Sequence, residues 1–332
     1  MISTIYIERE IADHPRVGGI LQRVGNAKRI DCERYTEVFN PKSQNFRLQK
    51  RRPALILAKK FDGFVLEAPS GYGLGCERNF YFSHMLNCIY DCRYCFLQGM
   101  YRSAHYVLFV NYEDFEHAIE AKLQQPSANE TWFFSGYDCD SLAFEPVTGF
   151  VEHFLPFFRR YPSASIELRT KSTQVRSLSK MEPLSNCVVA FSFTPQEVSI
   201  ALEHGVPSVD KRLEAMVRLQ RQGWKVGLRF DPVIYHEDYR AQYRRLFSDI
   251  FQRLDIEYLH SVTLGAFRLP APYYRNILRL YPDEPLFAST LETTNGMVSC
   301  RAQTTDEMMA FCKDELQRYI PKEICFPHTV AY

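Results

Sequence analysis

The sequence predicts an α/β protein, an open, partial (β/α)6 barrel of TIM type with an N-terminal extension and a small C-terminal α+β appendage. Three observations predict it. From residue 79 to residue 281, apolar strand-like runs alternate with helical patterns. The strand-then-helix unit recurs six times, fewer than the eight that close a TIM barrel. Three cysteines crowd directly after the first of these strands. Repeated units of this kind imply a parallel sheet with helices outside it. Catalytic groups then belong at the C-terminal ends of the strands.

The elements follow in order. Residues 1–75 show no repeating unit and are expected to pack on the barrel as an extension. Within them, "SQNFRLQKRRPALILAKK" (43–60) carries Arg47, Lys50, Arg51, Arg52, Lys59 and Lys60 and no acid. "ALILA" inside it reads as a buried strand, and "APSGYGLGCE" (68–77) as a glycine-containing loop. The barrel is expected over 76–285. "NFYFSH" (79–84), "ETWFFSG" (130–136), "ASIELRTK" (164–171), "CVVAFSFT" (187–194), "KVGLRFDPVI" (225–234) and "SVTLGAF" (261–267) read as its strands. Helical spacing marks 111–124, 145–161 with a kink at Pro156, 237–254 and 273–281. A further helix over 208–223 is capped by Ser208 and ended by Gly223. The appendage, 286–332, holds a hairpin arm (296–302), a helix (304–320) and a final strand (323–332).

Length and composition set bounds. The chain of 332 residues is 46% hydrophobic and 24% charged, ordinary for a globular protein. Its net charge of +1 gives no overall bias towards nucleic acid or membrane, so any such surface is a local patch. "MISTIYIEREIADHPR" lacks a basic start followed by an apolar run, and no apolar stretch is long enough to span a bilayer. A cytoplasmic location is the expectation, with no membrane partner. In a reducing compartment, clustered cysteines point to metal binding or catalysis rather than to disulfides. The seven dispersed cysteines read as small buried hydrophobes.

The cluster is "NCIYDCRYCFLQ" (87–98), with Cys88, Cys92 and Cys95 in C-x3-C-x2-C spacing. Three thiolates so spaced can hold an iron–sulfur cube, which usually takes four cysteines, and leave one iron open. S-adenosylmethionine suits that iron, because its amino and carboxylate groups can chelate it. Two other readings stand beside this one. The loop could hold structural zinc with Cys76 or His84 as fourth ligand, or could be three buried thiols without metal. Zinc sites prefer paired CxxC knuckles, and this loop has a single one.

The spacing, with Tyr94 before the last cysteine, resembles the radical S-adenosylmethionine signature. A longer resemblance, from about residue 40 to the C-terminus, is to the spore photoproduct lyase family. It is carried by "CERNFYFSHMLNCIYDCRYCFLQGMYRSAHYVLFVNYEDF", "IELRTKS", "FSFTPQEV", "HGVPSVDKRLEA", "GWKVGLRFDPVIYHEDY", "TLGAFRL" and "ELQRYIPKEICF". The resemblance implies a DNA-repair lyase that cleaves a methylene-bridged thymine dimer. It would use a [4Fe-4S] cluster, S-adenosylmethionine and an external one-electron donor such as flavodoxin or ferredoxin. It also implies roles for single residues. Cys88, Cys92 and Cys95 would hold the cluster. Tyr94, Gly136, Lys171 and Ser192 would contact the cofactor, Lys171 as a positive point charge for its carboxylate.

Two departures bear on the substrate. The family's hydrogen-donor cysteine falls on Tyr137 in "GYDCDS", and Cys139 falls on the following serine position, so either is a candidate catalytic donor. Phe96 stands where the family has a second tyrosine after the last ligand cysteine. The family's basic, aromatic hairpin is short here, "LETTNGMVSCRAQTTDE" (291–307), and offers mainly Arg301. Lys50, Arg51 and Arg52 are then the better candidates for DNA phosphates. A radical enzyme with another nucleic-acid, nucleotide or peptide substrate, and a non-catalytic zinc or iron–sulfur sensing module, are the alternatives.

Overall fold

Six parallel strands carry the molecule: β1 (Arg78–Phe82), β2 (Thr131–Ser135), β3 (Ala164–Thr170), β4 (Cys187–Ser192), β5 (Lys225–Val233) and β6 (Leu259–Ala266). The computed structural model describes residues 2–69, 71–125 and 130–327. The six strands lie side by side in chain order. Cys325–Pro327 adds in parallel beyond β6, and Leu66–Glu67 adds antiparallel beyond β1. The sheet keeps two edges and so remains an open, partial barrel, as the count of units implies. Every residue of β2 and β4 is buried, as expected of a parallel sheet covered on both faces. The expected final strand forms at Cys325–Pro327, and 328–332 lie outside the described residues.

Helices α1 (Tyr112–Leu123), α2 (Phe150–Arg159), α3 (Val209–Arg221) and α4 (Tyr239–Phe251) make crossovers as expected. Ser208 does cap α3, accepting from the Lys211 N–H at 3.4 Å. The alternation fails in two places. Only the 3-10 turn Leu178–Lys180 lies between β3 and β4. After β6, the helix Ala271–Leu280 packs on the short helix Leu97–Met100 beside the cysteine loop, and α5 (Ala302–Leu316) takes the place against β6 and α4. The helix expected over 145–161 is two helices. Gly149, at φ +60°, separates Glu145–Thr148 from α2, which runs on through Pro156. Among the described residues no helix is long and apolar enough to cross a membrane.

"ALILA" does form a buried strand, Leu55–Ala58. It lies in a second sheet of order Lys28–Cys32, Thr4–Glu8, Leu55–Ala58, Tyr106–Phe109, Met85–Leu86. That sheet crosses the boundary drawn at residue 75, and one apolar core runs through both sheets, from Ile5 and Leu57 through Phe109 and Phe82 to Phe133. A third, antiparallel sheet joins Arg268–Pro270 to the hairpin Leu291–Thr294/Met297–Cys300. Asn295 and Gly296, both at positive φ, turn that hairpin.

Candidate active site

The cysteine loop is held by hydrogen bonds along its length. At its start, the Asn87 amide donates to the carbonyls of Ser103 (2.7 Å) and His105 (2.8 Å). In its middle, Asp91–Cys92 pairs with Glu203–His204, and the Arg93 N–H donates to the Leu202 carbonyl at 2.8 Å. At its end, the Cys95 N–H closes a turn on the Cys92 carbonyl at 3.0 Å and the helix Leu97–Met100 begins. The Lys50 ammonium donates to the carbonyls of Cys88 (3.3 Å) and Tyr90 (3.1 Å).

The loop forms one wall of a cavity of about 730 Å³ at the C-terminal mouths of the strands. That is within the roughly 300–1,000 Å³ of small-molecule sites. Cys88, Cys92, Cys95, Tyr94, Gly136, Tyr137, Cys139, Lys171 and Ser192 all line it. The residues expected to meet at the site therefore do meet. Lys50, Arg51, Arg52 and Arg301 are not among its lining. Lys50 is engaged with the cysteine loop, and Arg301 donates to Glu292 across the hairpin at 3.1 Å.

A buried network stands behind Tyr94. Its hydroxyl donates to Glu203, which also accepts from Ser199 Oγ (2.8 Å) and from Arg212 Nη2 (2.6 Å). Arg212 Nη1 donates to the Ser192 carbonyl at 2.8 Å, so one guanidinium ties two expected cofactor residues together. Burial opposes ionisation of Glu203, but Arg212 and Lys171 outweigh it and hold the carboxyl below its usual range. Burial likewise opposes charge on Lys171, and Cys92 and Glu203 nearby raise it.

Asp140 anchors the donor loop to β3. It accepts from the N–H groups of Leu142 (3.0 Å), Ala143 (2.9 Å) and Lys171 (2.6 Å) and from Thr170 Oγ1 (2.6 Å). Gly136, at φ +73°, lines the cavity, but what demands glycine there is Ser141. An added Cβ would lie 2.6 Å from its Oγ. Tyr137 stacks on Tyr81 at 4.3 Å between centroids and meets Tyr72 and Phe96 by edge and tilted contacts. Cys139 is 7% exposed and packs into the apolar core from the cavity wall.

Sequence reasoning missed four charged residues of the cavity, Asp140, Arg169, Asp231 and Arg268, and with them Tyr72. Arg169 donates to Glu167 at 2.9 Å and lies over the Tyr72 ring at 4.9 Å, and Arg268 pairs with Asp231 at 3.4 Å. Burial would raise the Glu167 carboxyl, but Arg229 and Arg169 bring it to about 2. The available signal was a charge at or just past the C-terminal end of an otherwise apolar strand.

The donor set suits a cluster better than zinc. Among the described residues, no three His, Cys, Asp or Glu side chains converge to hold a single metal ion. The three thiols of an iron–sulfur mount sit on separate irons and stay apart. The fourth ligands considered for zinc are elsewhere: Cys76 does not line the cavity, and His84 is buried against Phe150, 4.0 Å between rings, with burial lowering its pKa to about 3.

An open parallel barrel with three cysteines at its mouth defines the radical S-adenosylmethionine class. The spore photoproduct lyase family matches residues 79–293, and the chain belongs to it. The spore photoproduct lyases of Bacillus subtilis (strain 168) and Geobacillus sp. (strain Y412MC61) are 25% and 24% identical to it over 202 residues, 60% of this chain. The matched region spans 59% of each relative's length. Two solved structures share the fold. A cysteine-to-serine mutant of spore photoproduct lyase has a TM-score of 0.84 at 18% identity, covering 99% of this chain and 98% of its own. A double mutant with bound AdoMet and dinucleoside spore photoproduct has a TM-score of 0.84 at 17% identity, covering 100% and 99%.

Proposed function

We propose that this protein reverses a methylene-bridged thymine dimer in DNA by radical chemistry in the cavity. The observation that carries the reading is the convergence of Cys88, Cys92, Cys95, Tyr94, Lys171 and Ser192 on one cavity, in a chain of this family. The cluster with S-adenosylmethionine, when bound, supplies a 5′-deoxyadenosyl radical. The three cysteines hold the cluster. Lys171 offers its ammonium to the cofactor carboxylate, and Ser192 a hydroxyl. Tyr94, fixed through Glu203, walls the cofactor side.

Tyr137 is the group that returns hydrogen to the product. Both Tyr137 and Cys139 line the cavity, but Tyr137 is the more exposed of the two, whereas Cys139 is 7% exposed and packs into the apolar core. The lesion has to leave the base stack to reach these groups. The hairpin supplies Met297 to the cavity. Walls of aromatic and aliphatic side chains exclude water that would divert a radical.

The charged pairs Arg169–Glu167 and Arg268–Asp231 favour a second reading, in which the same chemistry serves a different and more polar substrate. An oligonucleotide carrying the dimer separates them. Reconstituted protein and a chemical reductant should restore thymine. Release of 5′-deoxyadenosine without thymine recovery would reject the lesion as substrate and leave the second reading.

A further inference from the structure

The helix Phe46–Arg51 touches the cysteine loop without touching the cavity. Asn45 caps it, accepting from the Leu48 N–H at 3.0 Å, and Phe46 seats it in the core. Lys50 binds it to the carbonyls of Cys88 and Tyr90. Gln49 binds it to the Ala104 N–H at 2.9 Å, which brings Arg102 alongside. Its outer side is open: Leu48 is 58% exposed, and Arg47, Arg51, Arg52 and Arg102 are all exposed. Among the described residues none of these four arginines forms an ion pair. No carboxylate occurs in 43–60 to neutralise them.

We propose that this surface docks an acidic one-electron carrier of the flavodoxin or ferredoxin class. The inference rests on the reading that Cys88, Cys92 and Cys95 hold a cluster. The carrier loses one electron and the cluster gains it; no covalent bond changes and no proton moves. With cofactor and substrate in the cavity, the electron has to arrive through the protein rather than through the mouth. The helix offers such an entry, because Lys50 joins the docking face to the main chain of two loop residues. An apolar centre within a cationic rim matches the anatomy of an interface and the charge of an acidic partner. DNA is the competing polyanion. It is disfavoured because the patch does not border the cavity that an extruded base must enter, and phosphates have no use for Leu48.

The test uses reconstituted protein and the triple variant Arg47→Glu/Arg51→Glu/Arg52→Glu. Purified acidic flavodoxin and an acidic ferredoxin are titrated by calorimetry at low and high salt. Anaerobic cluster reduction is followed with each reduced carrier and with dithionite. We expect salt-dependent binding of at least one carrier, weakened about tenfold or more by the triple variant. Reduction by that carrier should slow to match, while iron content, dithionite reduction and affinity for the dimer oligonucleotide stay within about twofold. Unchanged carrier binding, or binding by neither carrier, overturns the proposal. So does a loss confined to oligonucleotide affinity, which would make the patch a DNA surface. Failure of the wild-type protein to retain iron is a separate result. It removes the cluster reading itself, and iron analysis shows it before any carrier is added.

Discussion

Glu203 and Arg212 form an ion pair at 2.6 Å with both side chains fully buried. The same carboxylate takes the Tyr94 hydroxyl and Ser199 Oγ, and the same guanidinium takes the Ser192 carbonyl. Removing one partner of a buried pair leaves an uncompensated charge, which costs about 3–5 kcal/mol. Glu203→Ala should therefore lower the unfolding free energy by about that much in urea titrations. Glu203→Leu combined with Arg212→Met, which removes both charges at similar volume, should cost less than Glu203→Ala alone. Equal losses would show that the pair is not the source.

This network also marks what the sequence could not disclose. The six strands were legible because buried parallel strands are short continuous apolar runs, as in "TWFFS" and "CVVAFS". The cysteine mount was legible because its spacing is local. The Glu203–Arg212 pair joins residues on different elements, and a charge in a helical pattern carries no sign that it is buried. The five-stranded sheet brings together segments as distant as 4–8 and 106–109, and such pairing leaves no local period. The helix Ala271–Leu280 had the right pattern, but nothing local says that it packs on Leu97–Met100 rather than on the outside of the barrel.

That packing supplies the second prediction. A Cβ on Gly99 would lie 2.3 Å from the Tyr273 carbonyl oxygen, and the Gly99 carbonyl accepts from the Asn276 amide at 2.9 Å. Alanine would gain up to about 1 kcal/mol in helix propensity. Overpacking against main chain costs about 1–3 kcal/mol, so the clash wins. Gly99→Ala should lower the melting temperature and weaken oligonucleotide binding, because Pro272 and Tyr273 line the cavity. Iron content should be unchanged. A more stable variant with normal binding would contradict the close approach.

The third prediction concerns pH. Burial pushes the Glu145 carboxyl from 4.5 up to about 7, against hydrogen bonds such as that from the Val151 N–H at 3.1 Å. A folded pKa above the unfolded one means that the folded protein binds the extra proton. This stabilisation is complete below about pH 4.5 and is lost as pH rises through about 7. Glu145→Gln keeps an acceptor and removes the titration. Its stability advantage over the wild type should grow between pH 5 and pH 8 to a value on the order of 3 kcal/mol. His84 and His153, with pKa values lowered by burial to about 3 and about 4, oppose this trend in both proteins and cancel in the difference. A difference that does not vary with pH would show that Glu145 is not the titrating group.

The fourth prediction separates the two candidate donors. Tyr137 and Cys139 are two residues apart, yet their side chains have different surroundings. Both line the cavity, but the tyrosine is partly exposed and packs among Tyr72, Tyr81 and Phe96, whereas the thiol is buried against the apolar core. A group that returns hydrogen has to meet the product radical, which favours the more exposed of the two, Tyr137. Tyr137→Phe removes one oxygen and keeps the ring contacts, so the fold and the iron content should not change. Thymine recovery should fall, with side products in its place, while 5′-deoxyadenosine release continues. In deuterated water, label should enter thymine with the wild type and be lost with Tyr137→Phe, because the phenol proton exchanges. Cys139→Ala should leave the product ratio and label unchanged and cost about 1–3 kcal/mol of stability for the emptied core position. Loss of label in Cys139→Ala with retention in Tyr137→Phe would transfer the role to the thiol. That result would need no rearrangement of the loop anchored by Asp140, because Cys139 already borders the cavity.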